Sequence, residues 1–318
     1  MFQLSDVSLL LIGYRRLENI KNILETATNA GISNFLISID GPKFGSPDGI
    51  SDFNQIKLFI DKFSKKPELN VTAYLRSENV GCAPAVLSSI DWAFEHSEAV
   101  LILEDDCLPS SEFFTFALQG FNYLERDEEC WMLSGSQFSP ISGRHQEAHL
   151  TRYSLIWGWG TIAPRWTEIR TEMRSLNLHY RKGVRRRSAS ETSFWKIGAR
   201  GCQSRRADAW DSLLAAQMMF CEKYSLNSDQ PLVRNIGIDR HSTNTHEISS
   251  LFFQEFGKFN SLPIHPRVNL ESDKWLKKNI FKITIRHIFS NFLHNFMATL
   301  TRPNSEALNY AWESAKIN

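Results

Sequence analysis

Short apolar runs alternate with amphipathic stretches through the first part of this chain. The run VSLLLIG, Val7–Gly13, has no polar face, which is the pattern of a strand covered on both sides. Leu17, Ile20, Ile23, Leu24 and Ala27 then recur at helical spacing, and Gly31 stands where a helix ends on a left-handed cap. A second apolar run over residues 35–39 ends in Asp40-Gly41-Pro42, and a helical period follows through residues 53–63. A third run covers residues 71–75. Pro84 suits the first turn of the next helix, with Val86, Leu87, Ile90 and Phe94 on one face. Residues 99–103 are again wholly apolar, a helix starts near Ser110, and Cys130–Ser134 reads as a further strand. Strands alternating with helices predict βαβ units, and so an α/β fold with a doubly wound, mostly parallel sheet.

The fourth apolar run meets three consecutive carboxylates, Glu104, Asp105 and Asp106. A buried charge is costly unless paired or metal-bound, so the chain must leave the core at Glu104. In open α/β sheets ligands bind at the carboxyl ends of the strands. Three mutually repelling acids there are made tolerable by a divalent cation. All-oxygen ligation selects Mg²⁺ or Mn²⁺, ions that bridge to substrate phosphates. The alternative is a solvated acidic turn. Polar residues also follow the other predicted strands: Arg15, Asp40, and Arg76 with Asn79. Together they line one edge of the sheet, where a nucleotide diphosphate fits. Taken singly, Arg15 and Arg76 read equally as surface arginines with snorkelling stems.

Asn79-Val80-Gly81, a helix, and then "LEDD-x-x-P-S-x-x-F-F" (residues 103–114) resemble the metal-binding core of glycosyltransferases with the glycosyltransferase-A, Rossmann-like fold. The similarity is to the branch around family-two and N-acetylglucosaminyltransferase-I-like enzymes, of the kind that builds bacterial surface polysaccharides. It covers roughly residues 7–247. The resemblance implies that Asp106 binds Mn²⁺ or Mg²⁺ holding the diphosphate of a nucleotide sugar, that Asp105 faces the ribose, that Asp40 reads the nucleobase and that Arg15 contacts nucleotide. Where the family often has Asn-Arg, this chain has Tyr14-Arg15. "WGWGT…RW" (Trp157, Gly158, Trp159 and onward to Arg165-Trp166) resembles the segment beside the donor sugar and acceptor. Glycine lets backbone approach a ligand, and indole stacks on sugar rings; a Trp-rich core loop is the other reading.

Ala207-Asp208-Ala209-Trp210-Asp211 matches the family's "W-D" element, which makes Asp211 the catalytic base, with Asp208 as fallback. By sequence pattern alone Asp211 is a helix N-cap ahead of Leu213, Leu214 and Met218. In "PLVRNIGIDRHSTNTH" His246 best matches a histidine that completes the metal shell, with His241 second. Arg185-Arg186-Arg187 and Arg205-Arg206 are either a solvated face or the greeting site for an anionic acceptor. From Trp275 onward, aromatics mix with Lys, Arg and His in a basic amphipathic helix. It docks on the core, forms a homodimer, or lies on an anionic membrane surface. The expected division is a catalytic domain over residues 1–250 and a C-terminal helical extension over residues 251–318.

Composition narrows the setting. The 318 residues suffice for one large α/β domain with an appendage. A net charge of +1 argues against nucleic acid as partner. Five cysteines without a C-x-x-C spacing point to a reducing compartment and no zinc site. With neither a basic leader nor an apolar stretch of ~18 residues, the expectation is a cytoplasmic protein, peripheral at most on the inner face of the membrane. The expected activity is metal-dependent, inverting transfer from a nucleotide-diphosphate sugar, UDP-linked, to a glycan or lipid-linked acceptor. A nucleotidyltransferase making a nucleotide sugar shares the sheet and acids but carries a Gly-rich signature and a lysine that "GYRRLEN" lacks. A non-catalytic glycan-binding protein has use for the tryptophans but none for the acid triplet.

Overall fold

The computed structural model describes residues 1–139, 147–175, 177–185, 187–203, 210–237 and 254–283. Its centre is an eight-stranded mixed sheet in the order β3-β2-β1-β4-β8-β6-β9-β7. The strands β1 (Val7–Gly13), β2 (Asn34–Ile39), β3 (Asn70–Leu75) and β4 (Ala99–Glu104) are mutually parallel. Between them run α1 (Leu17–Asn29), α2 (Pro47–Phe63) and α3 (Cys82–Ala93). Every residue of β1 is buried, as its unbroken apolar sequence requires. Leu9 and Leu11 of β1, with Leu101 and Leu103 of β4, join the core that contains α1 and α2 residues. Leu10, Ile12, Val100 and Ile102 point into the opposite core with α3. The sheet is therefore doubly wound, with helices on both faces.

Two local signals fix helix starts. Ser46 caps α2, accepting the Gly49 N–H at 3.2 Å, and Pro47 takes the first helical position where no N–H is needed. Asn269 caps α8 (Leu270–Asn279) by accepting from Ser272 N at 3.0 Å.

The chain winds outward from β1 through β2 to β3, then crosses by α3 to β4 on the other side of β1. That reversal opens a crevice beyond the carboxyl ends of β1 and β4, where open sheets bind ligands. The far half is mixed. After β5 (Cys107–Pro109), α4 (Ser111–Leu124), β6 (Cys130–Ser134) and β7 (His149–Thr151), the strand β8 (Trp159–Ile162) inserts antiparallel between β4 and β6. The Trp-Gly segment thus supplies a central strand, a role its glycines conceal. Then come α5 (Ala163–Ser175), α6 (Ala189–Gln203), α7 (Trp210–Cys221), β9 (Tyr224–Asn227), parallel to β6, and β10 (Val233–Asn235), which pairs with β5 in a separate two-stranded sheet.

The expected boundary at residue 250 does not divide the packing. Phe259 is buried in one core cluster and Leu276 of α8 in the other. Leu150 N donates to Arg267 O and Asn269 N to Leu150 O, both at 2.9 Å, so residues 267–269 run beside β7. Asp273 is 1% exposed and accepts from Thr151 Oγ1 at 2.6 Å, Arg152 N at 3.2 Å and Arg152 Nε at 2.6 Å. The start of the basic tail is therefore a helix docked on the core, and α8 ends at Asn279. Residues 284–318 lie outside the described residues. Among the described residues no helix is long and apolar enough to cross a membrane. Asp273→Ala strands three donors and is expected to lower stability by about 2–3 kcal/mol in urea titration; a change below about 0.5 kcal/mol returns α8 to the surface.

Candidate functional site

The crevice is built from the tips of β1 and β4. After Gly13 the backbone N–H of Tyr14 donates to Asp105 Oδ2 at 2.8 Å, and Arg16 Nη1 donates to Asp105 Oδ1 at 2.7 Å. Arg16 Nη1 also lies 3.7 Å from Asp106 Oδ2. Asp105 is thereby locked across the switch point, and Arg16 is the cation of the acid turn. Arg15, the expected nucleotide contact, turns away: its Nε donates to Asp52 Oδ2 of α2 at 2.7 Å. Two adjacent arginines leave the choice to the direction of the turn after β1, which the sequence pattern does not encode.

Glu104, Asp105 and Asp106 repel one another in a largely dry setting. Burial, then the Asp106, Asp105 and Asp211 carboxylates, push the Glu104 carboxyl up to about 8 against the pull of Arg16. Burial and Asp105 likewise raise Asp106. An unfolded glutamate releases its proton near 4.5, whereas folded Glu104 holds its own to about 8. Across that window the folded state binds more protons, so Glu104 contributes stability that is full below 4.5 and lost as pH rises to about 8. Metal-free protein is expected to melt higher at about pH 5 than at about pH 8 in scanning calorimetry, and Glu104→Gln to flatten that slope. An identical slope in the variant assigns the effect elsewhere.

The second wall comes from β2 and the loop before α3. Asp40 is buried and fully engaged: Oδ1 accepts from Gly41 N at 3.0 Å and Val80 N at 3.1 Å, and Oδ2 from Asn79 Nδ2 at 2.7 Å. Asn79 also donates to Gly41 O at 3.1 Å. Asp40 and Asn79 thus staple two loops together at the crevice rim. Burial raises the Asp40 carboxyl despite these donors. Arg76, 7% exposed, does not reach the rim. It donates to Ser38 Oγ at 2.8 Å and Ser88 Oγ at 2.7 Å and stacks on Tyr74 at 4.3 Å, and desolvation lowers its pKa.

On the far side, Trp157 is half-buried and meets Phe138 edge-on at 4.9 Å. Gly158 takes φ +67°, and a Cβ there would sit 2.4 Å from Val233 Cγ2, so only glycine fits. Trp159 is 1% exposed and stacks on Trp210 at 5.9 Å. It is wall, and not a platform for a sugar ring. That stack connects β8 to the first turn of α7, where Asp211 follows Trp210. Asp211 Oδ1 accepts from Ser212 N at 2.9 Å. Burial raises the Asp211 carboxyl, and it acts electrostatically on Glu104. The residue expected as base is thus close enough to the acid triplet to act on the Glu104 carboxyl, although the two are far apart in sequence.

His246, His241, Asp208, Arg186 and Arg205-Arg206 lie outside the described residues. Arg185 is exposed, and Arg187 donates to Glu191 Oε1 at 2.6 Å. Among the described residues no three His, Cys, Asp or Glu side chains converge to hold a metal alone. The donor chemistry still fits a hard cation shared with a ligand: Asp106 retains 23% side-chain exposure in a crevice of repelling carboxylates. Mg²⁺-type ions are commonly held by one or two carboxylates plus substrate phosphates.

No protein-family model matches the chain, and no sequence among curated proteins does. Among solved structures, the chain is similar to the mannosyltransferase PcManGT from Pyrobaculum calidifontis in complex with GDP-Man and Mn²⁺. That similarity has 14% identity over 67% of this chain and 69% of that one, with a TM-score of 0.37. It is also similar to HddC from Yersinia pseudotuberculosis, at 10% identity over 45% of this chain and 58% of that one, with a TM-score of 0.25. Likenesses this distant leave the function to be read from the site itself.

Proposed function

We propose that the protein is a glycosyltransferase of the glycosyltransferase-A type, moving a sugar from a nucleotide-diphosphate donor to an acceptor hydroxyl. The observation that carries this reading is the convergence of Asp105 and Asp106 with Arg16 at the switch point, within electrostatic range of a separate half-buried carboxyl, Asp211. One acid group suits a phosphate-bridging cation and the other suits a proton acceptor. Asp106 would hold Mn²⁺ or Mg²⁺, which when bound offsets charge on the departing diphosphate.

The chain's own groups do the rest. Arg16 and the Tyr14 N–H hold Asp105 at the crevice floor. The Asp40–Asn79 staple fixes the rim on the nucleotide side. Trp157 offers the half-exposed indole that Trp159 does not. Asp211 accepts the acceptor hydroxyl's proton as its oxygen attacks the anomeric carbon and the bond to the diphosphate oxygen breaks. With the base and the acid turn on different walls, attack opposite the leaving group inverts the anomeric centre. A glycan or lipid-linked alcohol is the acceptor class, and UDP-sugars are the first donors to test.

Incubation with a panel of nucleotide sugars and Mn²⁺ is expected to show slow donor hydrolysis that EDTA stops. Release of pyrophosphate from a sugar phosphate and a nucleoside triphosphate, with no donor hydrolysis, replaces this reading by nucleotidyl transfer.

A further inference from the structure

The strands β5 and β10 pair antiparallel with Asn235 opposite Cys107, the residue after Asp106. This register carries residues 235–237 across the acid turn. Ile236 N donates to the Asp106 carbonyl at 2.7 Å. Asn235 is 6% exposed, and its Oδ1 accepts from Gly237 N at 2.8 Å, closing a tight turn. The Asn235 side chain favours the ionised form of the Asp106 carboxyl, and the Cys107 thiol reaches Asp106 Oδ1 at 3.4 Å. Gly237 lies against the same carboxylate. A Cβ there would meet Asp106 Oδ2 at 2.7 Å and Asp106 Cβ at 2.8 Å. Its φ lies outside the left-handed region, so glycine is required for space and not for backbone conformation.

We propose that the turn Asn235-Ile236-Gly237 is the positioning clip of Asp106. It packs against the carboxylate and fixes its rotation. The alternative resting place is close: Arg16 Nη1 is 3.7 Å from Asp106 Oδ2 and already binds Asp105. An unclipped Asp106 swings into that ion pair and is withdrawn from any cation. Groups that orient a metal-binding side chain commonly alter metal affinity 10–100-fold when removed. The cation role of Asp106 rests on the proposed function; the clip itself does not.

The test uses the full chain with UDP, following the free Mn²⁺ signal by electron paramagnetic resonance. Asn235→Ala and Gly237→Ala are each expected to weaken Mn²⁺ binding by about 10–100-fold, while metal-free UDP binding stays within about twofold. A purely structural role lowers the melting temperature and leaves the Mn²⁺ constant within about twofold in both variants; that result overturns the clip. A second readout needs no metal. In wild type the Gly237 amide is expected to exchange slowly with solvent, and Asp106→Ala to accelerate it at least about tenfold by releasing Asn235. Unchanged Gly237 exchange in Asp106→Ala overturns the clip, even where Asn235→Ala fails to fold. If wild type binds no Mn²⁺ while the exchange result holds, the proposed function fails and the clip stands.

Discussion

Asp106→Ala is expected to remove donor turnover, by at least about 10³-fold, and to leave the protein as stable as wild type or more so. The first half follows from several kcal/mol of charge stabilisation at the leaving diphosphate, each 1.36 kcal/mol being about a decade in rate. The second follows from repulsion. Asp106 is held raised by burial and by Asp105, and its backbone carbonyl, which Ile236 N uses, survives the substitution. Deleting a repelled, half-buried acid relieves more repulsion than the packing and local hydrogen bonding it removes at the Asn235 turn. Turnover assayed beside thermal melting separates the outcomes: lost activity with a preserved melt supports a ligand role, and a melt lowered by many degrees makes Asp106 architectural.

Asp211→Asn is expected to cut kcat by about 10²–10⁴-fold, the usual range for a lost general base, with little change in the donor's KM. The change is nearly isosteric and replaces a half-buried acid whose pKa burial raises, so the folded state keeps its shape. Because a base must be ionised, wild-type kcat should climb as pH rises through that raised pKa and then level off. The variant's residual activity should lack that rise. Asp211 is the second residue of α7 rather than the N-cap that its sequence pattern suggests, and an unchanged kcat with a lower melting temperature would leave it only a negative charge that suits the helix dipole.

Much of the N-terminal half was legible in the sequence. The first and fourth strands are wholly apolar and end against polar residues, and both were placed within a residue or so of their bounds. The acid triplet ends the strand as expected, yet Asp105 stays buried and Glu104 and Asp106 half-buried, because the Tyr14 N–H and Arg16 satisfy Asp105 where a free carboxylate would be driven out. What stayed hidden depended on partners far along the chain. Trp159 looks like a ligand-facing aromatic until Trp166 and Trp210 pack over it. Arg16 and Arg15 differ by one step, and only the turn after β1 says which meets Asp105 and which meets Asp52. Asp40 and Arg76 are polar residues after strands, yet the backbone amides and serine hydroxyls that engage them have no period to betray them. The strands β5 and β10 are three residues each, too short for alternation to register.

The insertion of β8 between β4 and β6 has a consequence for biosynthesis. As the polypeptide leaves the ribosome, Val7–Gly13 can cover one edge of Ala99–Glu104 at once, but the other edge waits for Trp159–Ile162. That segment emerges roughly 60 residues later, about 3–12 s at ordinary translation speeds. For that interval a hydrophobic strand presents unpaired backbone groups, the template on which β-aggregation starts. The nascent N-terminal half thus carries that open edge until Trp159–Ile162 pairs with it, and fragments that stop short of Trp159 keep it permanently.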